Sequence, residues 1–530
     1  MIGFHAFLWR FFGHGTIGGM PNRNQALAAA LILAVTGCGM LPGTAGTPPP
    51  PSTPAASGGA PSAPASEAPV QDTRKALAET RSTLTEDLKV EVVGLNRIKG
   101  KHLVVQLRLS NTGTEDLPWT GELGDHTRPL GEIRWASGIG VLDAAAHRWL
   151  LPYQPEGSPC LCSDQERDGL GYFIDPGRSI TVYGVLPAPS GNPATVTIVT
   201  PLAPPLLNVP VSDEPPAGDF PDPDAQPVTA VTRRILLPSE SLDKSEETAD
   251  DGTDLRVNLS SDVLFAVDKA TLTGRARAVL ARTAKLVDAS PATVVKVEGH
   301  ADSSGDDAIN DPLSRRRALA VQRALAGLLS RDGVRFESRG YGSRRPLYDN
   351  GTEEGRRRNR RVTVTFAKPA EPAPRPTGDP VQTQSPKTGG PRATAKGQPI
   401  GMEVTGLRRL PGGLGLLTYT ITNEGPDKIW FNDLHHAQDW ESYKYQAASD
   451  IRLTDGANRR RYLPGRLQVP TDRGVDAYCA CTDVSGVRIA TEQFAPGQSR
   501  TFWSLFALPD DATSLRARIA AFPELEVPVR

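Results

Sequence analysis

The sequence predicts a multidomain protein in which a central α+β domain, a small mixed sheet with helices on one face, lies between two duplicated β-sandwich domains. Three observations carry this prediction. The chain has 530 residues of which 38% are hydrophobic, enough for about three domains of roughly 100 to 200 residues each. Its 51 glycines and 48 prolines are clustered, as in domains strung on linkers. A self-comparison finds one pattern twice, on either side of a segment of different texture. Charge is balanced, with 59 Lys+Arg against 60 Asp+Glu, so no chain-wide basic field draws the protein to nucleic acid, and none is expected as a partner.

The first element is an export signal. Ala26 to Thr36 is an apolar run behind Arg23, shorter than the roughly 20 residues that span a bilayer but long enough for a secretory signal. Residues 1–37 are read as that signal, with Met20 a more natural start than Met1. The run ends in Val35-Thr36-Gly37-Cys38, which resembles the lipobox of bacterial lipoproteins. That resemblance implies a lipid-modified Cys38 anchored to the membrane; an ordinary cleaved signal is the alternative. The Pro/Ala/Ser/Gly stretch that follows cannot bury enough apolar surface to offset its ordering entropy. At about 3.1 Å per residue, a tether of roughly 35 residues reaches on the order of 100 Å. Residues 38–85 are thus anchor and linker.

The repeat comes next. Glu91-Val-Val-Gly-Leu precedes Asn111-Thr-Gly at the spacing by which Glu403-Val-Thr-Gly-Leu precedes Asn423-Glu-Gly. The match continues through Trp119 and Trp430, Asp143 and Asp455, Cys160-Leu-Cys162 and Cys479-Ala-Cys481, and Pro176-Gly177 and Pro496-Gly497. Alternating apolar runs such as Leu103 to Leu109 and Leu416 to Ile421 end in Asn/Gly turns, as strands with one buried face do. Residues 86–212 and 399–530 are therefore read as two immunoglobulin-like sandwiches. Export favours disulfides, and each repeat holds a complete Cys-x-Cys pair. Local bridges Cys160–Cys162 and Cys479–Cys481 are preferred to pairing between repeats. Zinc wants four ligands, and His435-His436 lies far upstream of the second pair, so no metal is expected.

Between the repeats, residues 213–252 are rich in Pro and acids and read as a linker. Residues 253–367 read as the α+β domain: a strand at Leu255 to Ser260, a short one beginning at Leu264-Phe265, a helix over Ala270 to Asp288, and a strand over Thr293 to Glu298. A second helix opens at Asp311-Pro312, and two strands lie at Phe336 to Arg339 and Arg361 to Phe366. Residues 368–398 read as a Pro-rich linker that leaves the last sandwich free to move. Ser241-Leu-Asp-Lys244 and Lys387-Thr-Gly389 are fragments of a penicillin-binding signature without its middle element. With no His-Glu-x-x-His, Gly-x-Ser-x-Gly or phosphate loop, no enzyme, catalytic residue or cofactor is expected.

The central segment also carries two long motifs in order: Glu298-GHADSSGDDAINDPLSRRRA-Leu319, then Gly340-Tyr-Gly-Ser with Asn350 to Arg356 and Asn359-Arg-Arg-Val362. It resembles the OmpA-like peptidoglycan-binding domain of peptidoglycan-associated lipoproteins and flagellar stator proteins. The resemblance implies that Asp302 and Arg317 bind the diaminopimelate of the peptidoglycan stem, with Asn310 a further polar contact and one of Arg360 and Arg361 near the ligand. The chemistry suits the role, because a zwitterionic head group offers an ammonium to Asp302 and a carboxylate to the planar fork of Arg317. A structural salt bridge is the competing reading. The chain departs from the family's usual pattern at Ala301 and Ile309 and carries three arginines at 315–317. The expected protein is a lipid-anchored bacterial envelope protein that ties membrane to wall. The alternative is a receptor lipoprotein whose sandwiches bind an envelope protein, the central domain serving only to localise it.

Overall fold

The computed structural model describes residues 72–128, 135–369, 392–395, 399–431, 433–435, 443–445, 447–472, 474–482 and 493–530. Cys38, the signal, most of the first tether and residues 370–391 lie outside the described residues. The protein is mostly β, with few helices.

In the N-terminal β region one antiparallel sheet runs in the order Ala78–Arg81, Leu88–Ile98, His102–Asn111, Ser179–Pro187. A second layer orders Ala203–Pro210, Thr195–Thr200, Gly140–Asp143 and Arg148–Pro155. Alternate residues such as Leu107 and Leu109 point into a core shared with Trp119, Ile139 and both cysteines of the first pair, the period of a sheet with one buried face. The C-terminal β region repeats this order with Arg392–Thr394, Ile400–Leu410, Leu414–Asn423 and Ser499–Ala507. Each first hairpin carries an irregularity at the same place, between Val92 and Gly94 and between Val404 and Gly406.

The Asn-x-Gly motifs have a physical reason. Asn111 Nδ2 donates to the carbonyls of Glu115 and Ile174, and its Oδ1 accepts from Gly113 N–H. Asn423 does the same with Asp427, Phe494 and Gly425. A buried amide satisfied on both sides ties the turn to the opposite loop. Both Cys-x-Cys pairs close local disulfides, Cys160–Cys162 and Cys479–Cys481, so the thiols hold no metal. The tryptophan correspondence needs correction: Trp119 is fully buried, its counterpart in the second core is Phe431, and Trp430 is 50% exposed.

The expected linker at 213–252 is the largest departure. Val228–Ser241 is a long strand and Glu246–Asp250 a second. The long strand pairs with Arg148–Pro155 through its first half and with Arg466–Thr471 and Arg460–Tyr462 through its second. Its apolar residues Val231, Ile235 and Leu237 join Trp149 and Leu151 from one β region and Leu416, Trp503 and Leu505 from the other in one core. Trp149 and Trp503 meet at 6.2 Å between ring centroids. The last β region is therefore not free to move, because it shares strand pairing and core with the first.

The same sheet continues into the central domain through Glu246–Asp250, Asp254–Ser260, Arg361–Ala367, Val294–Gly299 and Arg335–Gly340. Only the last pair is parallel, joined by a helical crossover as parallel strands require. Helices α1 (Ser261–Leu264), α2 (Ala276–Ala289), α3 (Asp307–Ala326) and α4 (Glu353–Asn359) complete it. Along α2 the buried positions Ala276, Val279, Leu280, Ala284 and Val287 form one stripe packed on Val257, Val295 and Val364, the spacing of a core-facing helix.

Three local expectations change. Leu264 ends the one-turn helix α1 instead of starting a strand, although Phe265 bridges Leu272. That bridge keeps 270–275 out of α2, which begins at Ala276. Helix α3 begins at Asp307 because Asp306 is its N-cap, accepting from Ile309 N–H at 3.0 Å, so Pro312 falls inside the helix.

Candidate functional site

The loop that leaves strand Val294–Gly299 carries Asp302, and the helix it feeds carries Asn310 and Arg317. Helix α3 lies unusually close to the sheet. A Cβ on Gly299 would stand 2.1 Å from Ser314 O, and one on Gly340 2.4 Å from Arg315 N. Only glycine permits that approach, and it sets the position of Arg317 one turn further along.

Asp302 is 4% exposed. Its Oδ1 accepts from Ser304 N–H at 2.9 Å and from the Ser304 hydroxyl, and its Oδ2 accepts from Arg360 Nη1 at 2.7 Å. Burial pushes its pKa up, but the Ser304 hydrogen bonds and Arg360 outweigh burial and hold the carboxyl below its ordinary value. Asn310 pins the same loop, its Nδ2 donating to Gly305 O at 2.9 Å and Asp302 O at 3.4 Å.

Arg317 is 8% exposed. Its Nε donates to Lys269 O at 3.0 Å and its guanidinium lies 5.2 Å from the Phe265 ring centroid. No carboxylate comes within ion-pair distance of it among the described residues. Burial lowers its pKa, while the fields of Asp262 and Asp268 act in the opposite direction. A largely buried cation without a paired carboxylate is costly, and Arg317 has none within ion-pair distance among the described residues.

Arg360 caps α4 and bridges the cluster. It donates to both oxygens of Asp262, at 3.0 and 2.9 Å, as well as to Asp302. The direct partner of Asp302 is therefore Arg360, and Arg317 makes no contact with it. Arg361 belongs elsewhere: its guanidinium donates to Arg345 O at 3.1 Å and Asn359 O at 3.4 Å, and burial lowers its pKa to about 10. Sequence reasoning missed Asp262, Phe265 and Lys269. They come from the turn of α1 and the loop behind it, which Ser261 N–H ties to Arg360 O at 2.9 Å, a contact across about a hundred residues that no local spacing encodes. Among the described residues no cluster of His, Cys, Asp and Glu is arranged to hold a metal.

The central segment is similar to known proteins. Residues 264–360 match the OmpA family. Outer membrane porin F of Pseudomonas aeruginosa is 42% identical over 106 residues, which cover 20% of this chain and 30% of the porin. The outer-membrane lipoprotein YfiB of the same species is 36% identical over 127 residues, covering 24% of this chain and 71% of the lipoprotein. The crystal structure of the peptidoglycan-associated lipoprotein from Burkholderia pseudomallei aligns with 27% identity over 20% of this chain and 87% of its own, with a TM-score of 0.18. The chain spans 30%, 35% and 31% of the length of the first three curated relatives it matches. On the matched family segment, and on a lipoprotein relative covered over most of its length, the chain belongs to the OmpA family.

Proposed function

We propose that this chain is a lipid-anchored protein of the bacterial envelope that holds peptidoglycan without a covalent bond. Asp302 receives the ammonium of a diaminopimelate stem, and Arg317 receives the adjacent carboxylate. The single observation that carries the reading is Arg317: a guanidinium buried beside Phe265 with no carboxylate within ion-pair distance among the described residues. The competing structural salt bridge is Asp302–Arg360, and it leaves Arg317 available. The printed name of YfiB, an outer-membrane lipoprotein, supports the location, and the OmpA-family match of residues 264–360 supports the ligand. Anchoring through Cys38 follows from the lipobox resemblance. The two flanking β regions are read as copies of one immunoglobulin-like sandwich, supported by their matching strand order and hairpin irregularities. No chemical step is assigned to the site.

The test is calorimetric binding of a soluble diaminopimelate-containing stem peptide to the full chain, beside sedimentation with purified sacculi. Charge-assisted hydrogen bonds contribute about 1.5–3 kcal/mol. Arg317→Ala and Asp302→Asn are therefore each expected to weaken stem binding by roughly ten-fold or more while the fold persists by circular dichroism. Stem affinity unchanged in both variants would overturn the assignment.

A further inference from the structure

The balanced charge of the whole chain conceals a strong asymmetry. Residues 253–367 hold 21 Lys+Arg against 14 Asp+Glu, leaving 38 against 46 for the rest. Among the described residues some cations of the domain meet a carboxylate and others do not; of the latter, Lys269 lies in a loop, Lys296 and Arg339 lie on strands, and others lie at the helices. Arg282, Arg344, Arg356, Arg357, Arg358 and Arg360 each meet a carboxylate. Arg275, Arg277 and Lys285 at α2, and Arg315, Arg316 and Arg323 on α3, are exposed and make no side-chain hydrogen bond or ion pair among the described residues.

These six unpaired cations share the helix layer. Helices α2 and α3 pack side by side. Arg316 and Arg323 are seven residues apart, two turns on one face, and Arg277 and Lys285 are eight apart, close to the same relation. The long strand Val228–Ser241 and its neighbour reach the domain through α4 and through Arg282 on one flank of α2. The outer helix face is left to solvent. Mutual repulsion among uncompensated arginines costs stability, and an anionic partner would relieve it.

We propose that this face is a second contact with the wall, an electrostatic docking surface for the carboxylates of the peptidoglycan polymer. The inference rests on the stem-binding reading of Asp302 and Arg317. Helix α3 carries both features, since Arg317 turns into the buried site while Arg316 beside it faces outward. A polymer whose stem is held at Arg317 brings its other stem carboxylates to the adjoining helix surface, where guanidinium forks suit them geometrically. A one-point grip thus becomes a multipoint one, in which weak contacts add through effective concentration.

The experiment sediments the full chain with purified sacculi across a salt series and compares the wild type with the double variant Arg316→Glu/Arg323→Glu and its conservative counterpart Arg316→Lys/Arg323→Lys. At about 50 mM salt the glutamate variant is expected to bind sacculi at least roughly five-fold more weakly, and the gap is expected to close near about 500 mM, where the Debye length falls to a few Å. The lysine variant is expected to retain most of the binding, and the affinity of either variant for soluble stem peptide to stay within about two-fold of wild type, because a single stem does not span the face. Equal sacculus binding by all three proteins at low salt would overturn the proposal. So would a loss confined to vesicles of phosphatidylethanolamine and phosphatidylglycerol, which assigns the face to lipid headgroups. A wild type that ignores soluble stem peptide yet shows the salt-dependent loss on sacculi defeats the pocket alone and supports the arginine face.

Discussion

Arg360 donates to Asp262 and Asp302 at once, so the proposed ammonium competes with a guanidinium for Asp302. In the proposed binding mode an ammonium takes the place of Arg360 Nη1 at Asp302 Oδ2, while Arg360 keeps its bidentate pair with Asp262. The same contact sets a pH dependence. Asp302 is held below its ordinary pKa, so its contribution to stability is present above the unfolded value near ~3.9 and is lost as pH falls through the lower folded value. The proposed binding of an ammonium at Asp302 is expected to follow the same course. In Arg360→Gln the carboxyl loses one source of that depression, so the acid-side loss of stem binding is expected to move to higher pH. Calorimetric titrations at successive pH values below about 6 check this, and an unmoved profile would show that Arg360 does not act on Asp302.

Helix α4 shows how an element of seven residues couples two parts of the molecule. Its Arg358, with 2% of the side chain exposed, donates to Glu240 at 2.8 Å and to Glu247 on the two strands that precede the domain, and to Glu354 within the helix at 3.0 Å. Arg461 from the C-terminal β region reaches the other oxygen of Glu240 at 3.0 Å. Removing one member of a buried charged set leaves the others uncompensated, at a cost of about 3–5 kcal/mol. Arg358→Met is expected to lower stability by that amount in urea unfolding of the full chain. Adding Glu240→Gln is expected to cost less than the sum of the two single changes, because they share a partner. Strict additivity would mean that the pair carries no coupling.

At the scale of the molecule, the β regions and the OmpA-family domain form one body through the long strand Val228–Ser241 and the core around Trp149 and Trp503. The contact is tightened where His147 Nε2 lies 2.6 Å from Gly412 O and Lys368 Nζ donates to that oxygen at 2.9 Å. Gly412 has φ of +78°, and a Cβ there would meet Ala144 O at 2.1 Å, so Gly412→Ala is expected to separate the regions. Trp503→Ala removes a large side chain from the shared core and is expected to cost about 3–5 kcal/mol. Calorimetric unfolding is expected to show a transition of the C-terminal region split from the rest in either variant. A melting profile unaltered by both would show that the shared core does not couple them.

The long motifs of the central domain made most of its helices and strands legible and singled out Asp302, Asn310, Arg317 and Arg360 as candidates, although the contacts of Arg360 with Asp302 and of Arg317 with Lys269 span 58 and 48 residues. The buried Asn-x-Gly amides likewise made the two β regions visible as a repeated pattern. The strand Val228–Ser241 was not legible. Its partners lie at 148–155 and 460–471, so no hairpin spacing announces it, and the prolines and acids before it dominate the composition of that segment. That Arg360, and not Arg317, is the partner of Asp302 escaped for the same reason, since the two meet only when Val294–Gly299 pairs with Arg361–Ala367. Composition and local period determined the elements and the candidate charges; only the tertiary structure decided that Arg360 neutralises Asp302 and that Arg317 meets no carboxylate among the described residues, because those relations depend on long-range strand pairing.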